Sequence, residues 1–183
     1  RAMVGRSLSN ELYGRKRSDA DARPPGPKVL SVENLSMGSM VRNTSFSVYA
    51  GQVTGVFGLI GSGRTETAKI IAGLAKRDFL HGGEVRLAGR AVRYRTPRPA
   101  VKDGIVYVTE DRKIEGFFET KSIAENIYSG LLSADLNKLP LLSYSEMMAL
   151  SKDWISKLNV RAISSDAKVI ELSGGNQQKV VIA

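Results

Sequence analysis

Cysteine is absent from this chain of 183 residues. Its absence excludes disulfides, thiolate metal sites and cysteine nucleophiles, and it fits a cytosolic protein. No apolar run approaches the roughly 20 residues of a membrane-spanning helix, so these residues are not expected to cross a bilayer. Arg1 has no continuous apolar segment behind it, which is not the pattern of a secretory signal peptide. Aromatic residues are few, at 7%, and histidine occurs once, as His81. What is present has globular character. Hydrophobic residues make up 42% and charged residues 25%, in a length that suits one domain, or one domain plus an appendage.

The formal charge of +9 invites a nucleic-acid reading, so its distribution matters. Residues 1–28 carry seven basic and three acidic side chains. Residues 86–102 carry six basic ones (Arg86, Arg90, Arg93, Arg95, Arg98 and Lys102) and no acid. The remainder is close to neutral. Only Tyr94 interleaves the second segment with an aromatic ring, and single-strand binding needs more. A solvated surface accounts for the excess better than a nucleic-acid interface does.

Along the chain, residues 1–27 read as a tail and linker, because Gly5, Gly14 and Arg23-Pro24-Pro25-Gly26-Pro27 interrupt any continuous helix or strand. Val29, Leu30 and Val32 suggest a strand, and Ser45-Phe46-Ser47-Val48-Tyr49 alternates with period two. Residues 52–57 read as a buried strand. Residues 65–74 space Ile70, Ile71 and Leu74 as a helix does, and residues 84–87 and 105–108 are further strand candidates. Beyond Asp111 the pattern turns helical. Ser122-Ile123-Ala124-Glu125 and Ser143-Tyr144-Ser145-Glu146 are both capping-box arrangements. Met147, Leu150, Trp154 and Leu158 then share roughly one helical face and read as packing.

Gly58-Leu59-Ile60-Gly61-Ser62-Gly63-Arg64-Thr65 matches the phosphate-binding loop pattern G-x-x-x-x-G-K-[ST] at all but one position. An apolar segment precedes it and a helical pattern follows. Gly58, Gly61 and Gly63 would let the backbone amides, with that of Ser62, curl around a polyphosphate at a helix N-terminus. Thr65 would offer its hydroxyl to Mg²⁺. Arg64 stands where lysine belongs: the charge is kept, but a forked guanidinium replaces a compact ammonium. Nucleotide binding is therefore expected to survive while the γ-phosphate is misplaced, and phosphoryl transfer depends on placement. Glu66 follows in the first helical turn. At about 8 Å and an effective dielectric of about 20, each of its charge pairs with a polyphosphate would cost roughly 2 kcal/mol.

Leu172-Ser173-Gly174-Gly175-Asn176-Gln177-Gln178-Lys179 is the second anchor. Ser173 can cap a helix beginning near the two glycines, leaving amides to face an anion. Together the two motifs resemble the nucleotide-binding domain of ATP-binding-cassette (ABC) ATPases, in which the second stretch is the signature. Three features look more narrowly like the second cassette of the tandem ribose-, galactose- and xylose-type importers. They are the Asn-Gln-Gln-Lys ending, the loop with Arg64 and Glu66, and Glu110-Asp111-Arg112-Lys113.

The resemblance implies an α/β fold, that of a P-loop NTPase cassette with a RecA-like core, an antiparallel β subdomain and an α-helical subdomain. It covers the whole chain. Residues 1–27 would be the end of a preceding cassette, where Ala2-Met3-Val4-Gly5-Arg6 looks like its closing segment, plus the linker. Residues 28–183 would be a second cassette that stops before the Walker B strand: a core at 28–112, a helical subdomain at 113–172 and the signature helix at 173–183. Catalytic residues of the Walker B strand would lie outside it. ATP and Mg²⁺ are the implied ligands, with Thr65 and Glu110, at the Q-loop position, on the metal side. Gly58, Gly61, Ser62, Gly63, Arg64 and Thr65 would hold nucleotide, while Ser173, Gly174, Gly175 and Gln177 would complete the site of the partner cassette. The implied partners are the first cassette of the same polypeptide, transmembrane permease subunits and, indirectly, an extracytoplasmic sugar-binding protein, with no nucleic acid. The implied place is the cytoplasmic face of the inner membrane. Segment 122–127 resembles the start of the helical subdomain, which docks on the permease.

Two departures stand out. Where many cassettes stack an aromatic ring on adenine, this chain reads Met37-Gly38-Ser39-Met40-Val41, so that contact would be apolar or weak. His81 lies too early to be the family's switch histidine and reads as an exposed loop residue. Two other readings stand beside the importer: a non-transport ABC ATPase acting on nucleic acid or ribosomes, and a regulatory nucleotide-binding module without turnover.

Overall fold

The computed structural model describes residues 26–134, 143–162 and 164–183. The expected tail and linker therefore lies, apart from Gly26 and Pro27, outside the described residues. Strand β1 (Lys28–Met37) pairs antiparallel with β2 (Val41–Tyr49) on one edge and with β3 (Glu84–Leu87) on the other. The hairpin partner of β3 is β4 (Arg90–Val92), so the sheet runs β2-β1-β3-β4. Register shifts on either side of Leu35 bend the β1–β2 ladder, with Asn34 and Asn43 in the left-handed region that asparagine tolerates.

One face of this sheet buries Val32, Leu35, Val41, Val85 and Val92 against Ile70 and Ile71 of α1 (Arg64–Ile71). Period two in the strands and period 3.6 in the helix thus meet in a single apolar layer. Helix α2 (Pro97–Lys102) follows β4, started by Thr96 in extended backbone and Pro97 at its first position. Both β4 and α2 fall in the segment that sequence alone presents only as a run of charge.

A second cluster joins the helical half. Ile123 and Ile127 of α3 (Ile123–Ala134) pack with Val160, Val169 and Val180, the last from α5 (Gly174–Ile182). Around them lie Leu150, Trp154 and Leu158 from α4 (Tyr144–Lys157) and its cap, the apolar face that the spacing predicts. The first capping box closes in both directions. Glu125 N donates to Ser122 Oγ (3.1 Å) and Ser122 N to Glu125 Oε2 (2.8 Å). The second closes in one: Glu146 N donates to Ser143 Oγ (3.3 Å), while the Glu146 carboxylate accepts instead from the Tyr128 hydroxyl (3.2 Å). Asn126 pins the entry to α3, accepting from Phe118 N (2.7 Å) and donating to Phe118 O and Ser122 O.

The expectation for residues 52–57 and 105–108 is corrected. Neither segment is a strand, and residues 52–57 are not buried. Val53 is fully exposed, Phe57 is 93% exposed, and Val106 and Val108 also face outward. Central strands of a parallel sheet need hydrogen-bonded neighbours on both edges and cover on both faces. Among the described residues no strand pairs with either segment, so their apolar side chains have nothing to pack against.

Candidate functional site

The loop of residues 58–65 arrives at α1 through two glycines in the left-handed region, Gly61 (φ 82°) and Gly63 (φ 79°). Gly63 is buried beneath the β1–β2 turn, and a β-carbon there would run into the Met40 carbonyl oxygen. A β-carbon on Gly58 would strike the Ser62 side chain, which folds back over the start of the loop. Gly63 O accepts the first helical bond, from Thr67 N at 2.8 Å. The amides of Arg64, Thr65 and Glu66 thus precede the helical ladder, and no side chain caps them. Such amides, with the positive end of the helix, form an anion-facing surface. Arg64 is exposed beside it, and Met40, 60% exposed, is the apolar residue on the adjoining turn.

Thr65 and Glu110, 45 residues apart in sequence, meet here. Thr65 Oγ1 donates to Glu110 Oε2 at 3.3 Å. The segment carrying Glu110 is anchored once more on α1 and braced within itself. Lys69 Nζ pairs with Glu115 Oε1 (2.6 Å), whose other oxygen accepts from Thr109 Oγ1 (3.0 Å). These bonds, Lys69 first, hold the Glu115 carboxyl below its ordinary carboxylate range. Asp111 caps the short π-helical turn Arg112–Gly116, its carboxylate accepting from Ile114 N.

From the same turn a link runs to α5. Arg112 Nε donates to Gln177 Oε1 at 3.2 Å, and Arg112 Nη2 lies 2.8 Å from where a β-carbon on Gly174 would stand. Gln177 is buried, and its amide nitrogen reaches Val169 O (3.4 Å) and Ile170 O (3.5 Å). Its side chain therefore holds the base of α5 in place. Ser173, Gly174 and Gly175 are exposed at the tip. Ser173 stands at the cap position, as expected, but its hydroxyl caps no amide: it accepts from Asn176 Nδ2 (3.1 Å). Gln177 N to Ser173 O (2.9 Å) is the first helical bond, so the amides of Gly174, Gly175 and Asn176 precede the ladder.

The chemistry of the donors can be tested against Mg²⁺. That ion takes oxygen ligands and retains water, sharing phosphate oxygens with one or two protein groups. A threonine hydroxyl and a carboxylate in contact at the mouth of an amide-lined loop fit that demand. No group of three His, Asp or Glu side chains suited to holding a metal occurs among the described residues, so the pair would need the phosphates themselves. His81 lies in an exposed turn remote in sequence from these groups.

Sequence reasoning reached both glycine loops and Glu110. It missed Arg112 as the partner of Gln177 beside the second loop, and Met40 as the neighbour of Gly63. A cation directly after Glu110-Asp111 was a visible signal, but its partner is 65 residues away.

The profile of the ABC transporter family matches residues 41–183. The chain belongs to the ABC transporter family. This ABC transporter chain is 44% identical, along its whole length, to the ribose import ATP-binding protein RbsA 3 of Rhizobium meliloti (strain 1021), of which it covers 35%. It is 38% identical over 99% of its length to the ribose import ATP-binding protein RbsA of Caldanaerobacter subterraneus subsp. tengcongensis, again covering 35% of that protein. The chain thus spans about a third of the length of the curated relatives it matches. Among solved structures, the ADP conformation of MJ1267, an ATP-binding cassette of an ABC transporter, aligns with a TM-score of 0.66 at 24% identity, over 85% of this chain and 63% of that one. The dimeric cassette MJ0796 aligns at 0.63 and 20% identity, over 84% and 67%. These likenesses show the ABC cassette fold, an α/β P-loop architecture to which the antiparallel sheet and helices described above belong.

Proposed function

We propose that these residues are part of the ATP-binding, energy-coupling subunit of a carbohydrate importer. The observation that carries the reading is the pair of uncapped, glycine-led helix starts in one chain, α1 and α5, joined to the same short segment through Glu110 and Arg112. Relatives across the whole length named as ribose import ATP-binding proteins supply the substrate class.

In this reading residues 58–65 cradle the phosphates of ATP through the loop amides, and Arg64 supplies charge without a lysine's compact shape. Met40 takes the adenine-facing position as a polarisable apolar contact. When bound, Mg²⁺ would neutralise part of the polyphosphate charge, held from the protein side by Thr65 and Glu110. Ser173, Gly174 and Gly175 present their free amides to the nucleotide of a partner cassette, whose site hydrolyses ATP. Gln177 supports that loop from beneath instead of touching nucleotide. Residues 28–112 serve as core and antiparallel subdomain, 113–172 as helical subdomain and 173–183 as signature helix. The preceding cassette, permease subunits and a sugar-binding protein complete the assembly at the cytoplasmic face of the membrane. No helix among the described residues is long and apolar enough to cross a membrane, so contact with the bilayer would come through those subunits.

The test is ATP turnover by the full-length protein. Ser173→Arg, which fills the free-amide surface at α5, is expected to reduce turnover far more than Arg64→Ala. Equal losses, or a larger loss for Arg64→Ala, would overturn this division of labour. Retained turnover in Ser173→Arg would count against the importer reading altogether.

A further inference from the structure

The basic segment of residues 86–102 is not one surface. Arg86 pairs with Glu84 (2.8 Å), and Arg90 pairs with Asp103 (2.7 Å), which also accepts from the Tyr94 hydroxyl. Arg93 and Arg95 turn elsewhere. With Lys76 and Arg77 they line a cavity of about 230 Å³ between the end of α1 and the β3–β4 hairpin. Its remaining walls are Ile70, Ile71, Phe79, Val85, Val92 and Tyr94, so four cations border an apolar chamber that no carboxylate lines.

The acids nearest this cavity are already engaged. Asp78 directs both carboxylate oxygens at Gly38 N (3.0 and 3.1 Å), and Glu84 is held by Arg86. Arg93 donates to Asp78 O (3.2 Å) and lies over the Phe79 ring at 5.6 Å, contacts that bring no countercharge. Arg77 is the exceptional member: its Nε and Nη1 are buried and have no hydrogen-bond partner. Burial first, then the neighbouring Arg93, pull its guanidinium below the ordinary range, with Glu84 opposing. A half-buried cation left without a partner beside a like charge is costly, and a bound anion removes that cost.

We propose that this cavity binds the phosphoryl group of a small phosphate, either free or carried on a compact ring. Four cations exceed what a single carboxylate balances, whereas a phosphate monoester brings about −1.5 to −2 charges and three acceptor oxygens. Arginine pairs such oxygens in fork geometry. The volume lies below the range of drug-sized pockets, and the flanking Phe79 and Tyr94 rings suit a small ring. The cavity is separate from the phosphate loop, which lies at the opposite end of α1, about 12 Å away along an eight-residue helix.

Calorimetric titration of the purified protein at low ionic strength, with phenyl phosphate and with inorganic phosphate, tests this. Arg77→Met removes the buried charge and keeps the stem, while Arg93→Gln alters an exposed side chain and leaves the fold intact. Each is expected to weaken binding about tenfold, as loss of one charge-assisted contact does. Lys152→Gln, at an exposed cation of α4 outside both the cavity and the phosphate loop, is expected to leave this binding unchanged. Tighter binding of phenyl phosphate identifies a ring-bearing ligand, and equal binding identifies free phosphate. Titration curves unchanged in both arginine variants, an equal loss in Lys152→Gln, or no saturable binding to either probe would overturn the proposal.

Discussion

Helix α1 starts behind Gly63 and helix α5 behind Ser173, and neither start is closed by a side chain. The two differ in what surrounds the free amides. At α1 the loop is clamped: Gly63 is buried under the Met40 carbonyl, and Glu66 adds an acid to the first turn. At α5 the glycines are exposed and no acid lies in the first turn; a β-carbon on Gly175 would meet nothing within 4 Å, and one on Gly174 only the Arg112 side chain. A wound loop suits enclosing a ligand from several sides. An open one suits meeting a ligand brought by another surface.

Substitution at the glycines separates the two most sharply. Gly63→Ala places a side chain in left-handed backbone against a carbonyl oxygen, and we expect a loss of about 3 kcal/mol in chemical denaturation. If that variant unfolds at the wild-type midpoint, the clamp does not exist. Next in size, Arg112→Ala leaves the buried Gln177 oxygen without its donor, and a loss of about 1–2 kcal/mol is expected in the same experiment. Hydrogen exchange should report it at α5 and spare β1 and β2. A uniform loss would show that Arg112 holds no particular end of the molecule.

At the first turn of α1, Glu66→Gln removes a like charge from the phosphate loop. ATP is expected to bind about tenfold more tightly at low salt, with the gain shrinking as screening rises. Absence of salt dependence would remove Glu66 from the electrostatics of that loop. Acid titration examines the Glu115 anchor. Its folded pKa is depressed by Lys69 and then Thr109, so its contribution is present above its unfolded pKa and is lost as pH falls through the folded value. Wild type is therefore expected to exceed Glu115→Gln in thermal stability at neutral pH. That gap should start closing below about pH 4.5. A gap that persists in acid would assign the effect to packing. Smallest of all, Gly175→Ala is expected to leave stability unchanged or raise it by about 0.5 kcal/mol, since it replaces a helical glycine facing open space.

Local chemistry was readable where partners lie a few residues apart in the described residues. Ser122 and Glu125 lie three residues apart, so their reciprocal bonds follow from helix geometry alone, and the glycine spacing of residues 58–65 announces its turn for the same reason. The second capping box was half legible because the Glu146 carboxylate had a competitor in Tyr128, 18 residues away. Helix α2 had a local signal in Thr96-Pro97, hidden by the attention its charges draw.

By itself, then, the sequence determined the two glycine loops, the strands and helices with clear periodicity, and the positions of Arg64, Thr65 and Glu110. Those features depend on φ/ψ preference and on neighbours a few residues apart. Tertiary structure decided three things no local pattern encodes. Residues 52–57 and 105–108 have strand-like composition yet stay unpaired, because pairing needs a neighbour that the described residues do not supply. Glu110 meets Thr65, and Arg112 meets Gln177, through folding that closes separations of 45 and 65 residues. The run of arginines divided in space: Arg86 pairs with Glu84 and Arg90 with Asp103, while Arg93 and Arg95 line a cavity.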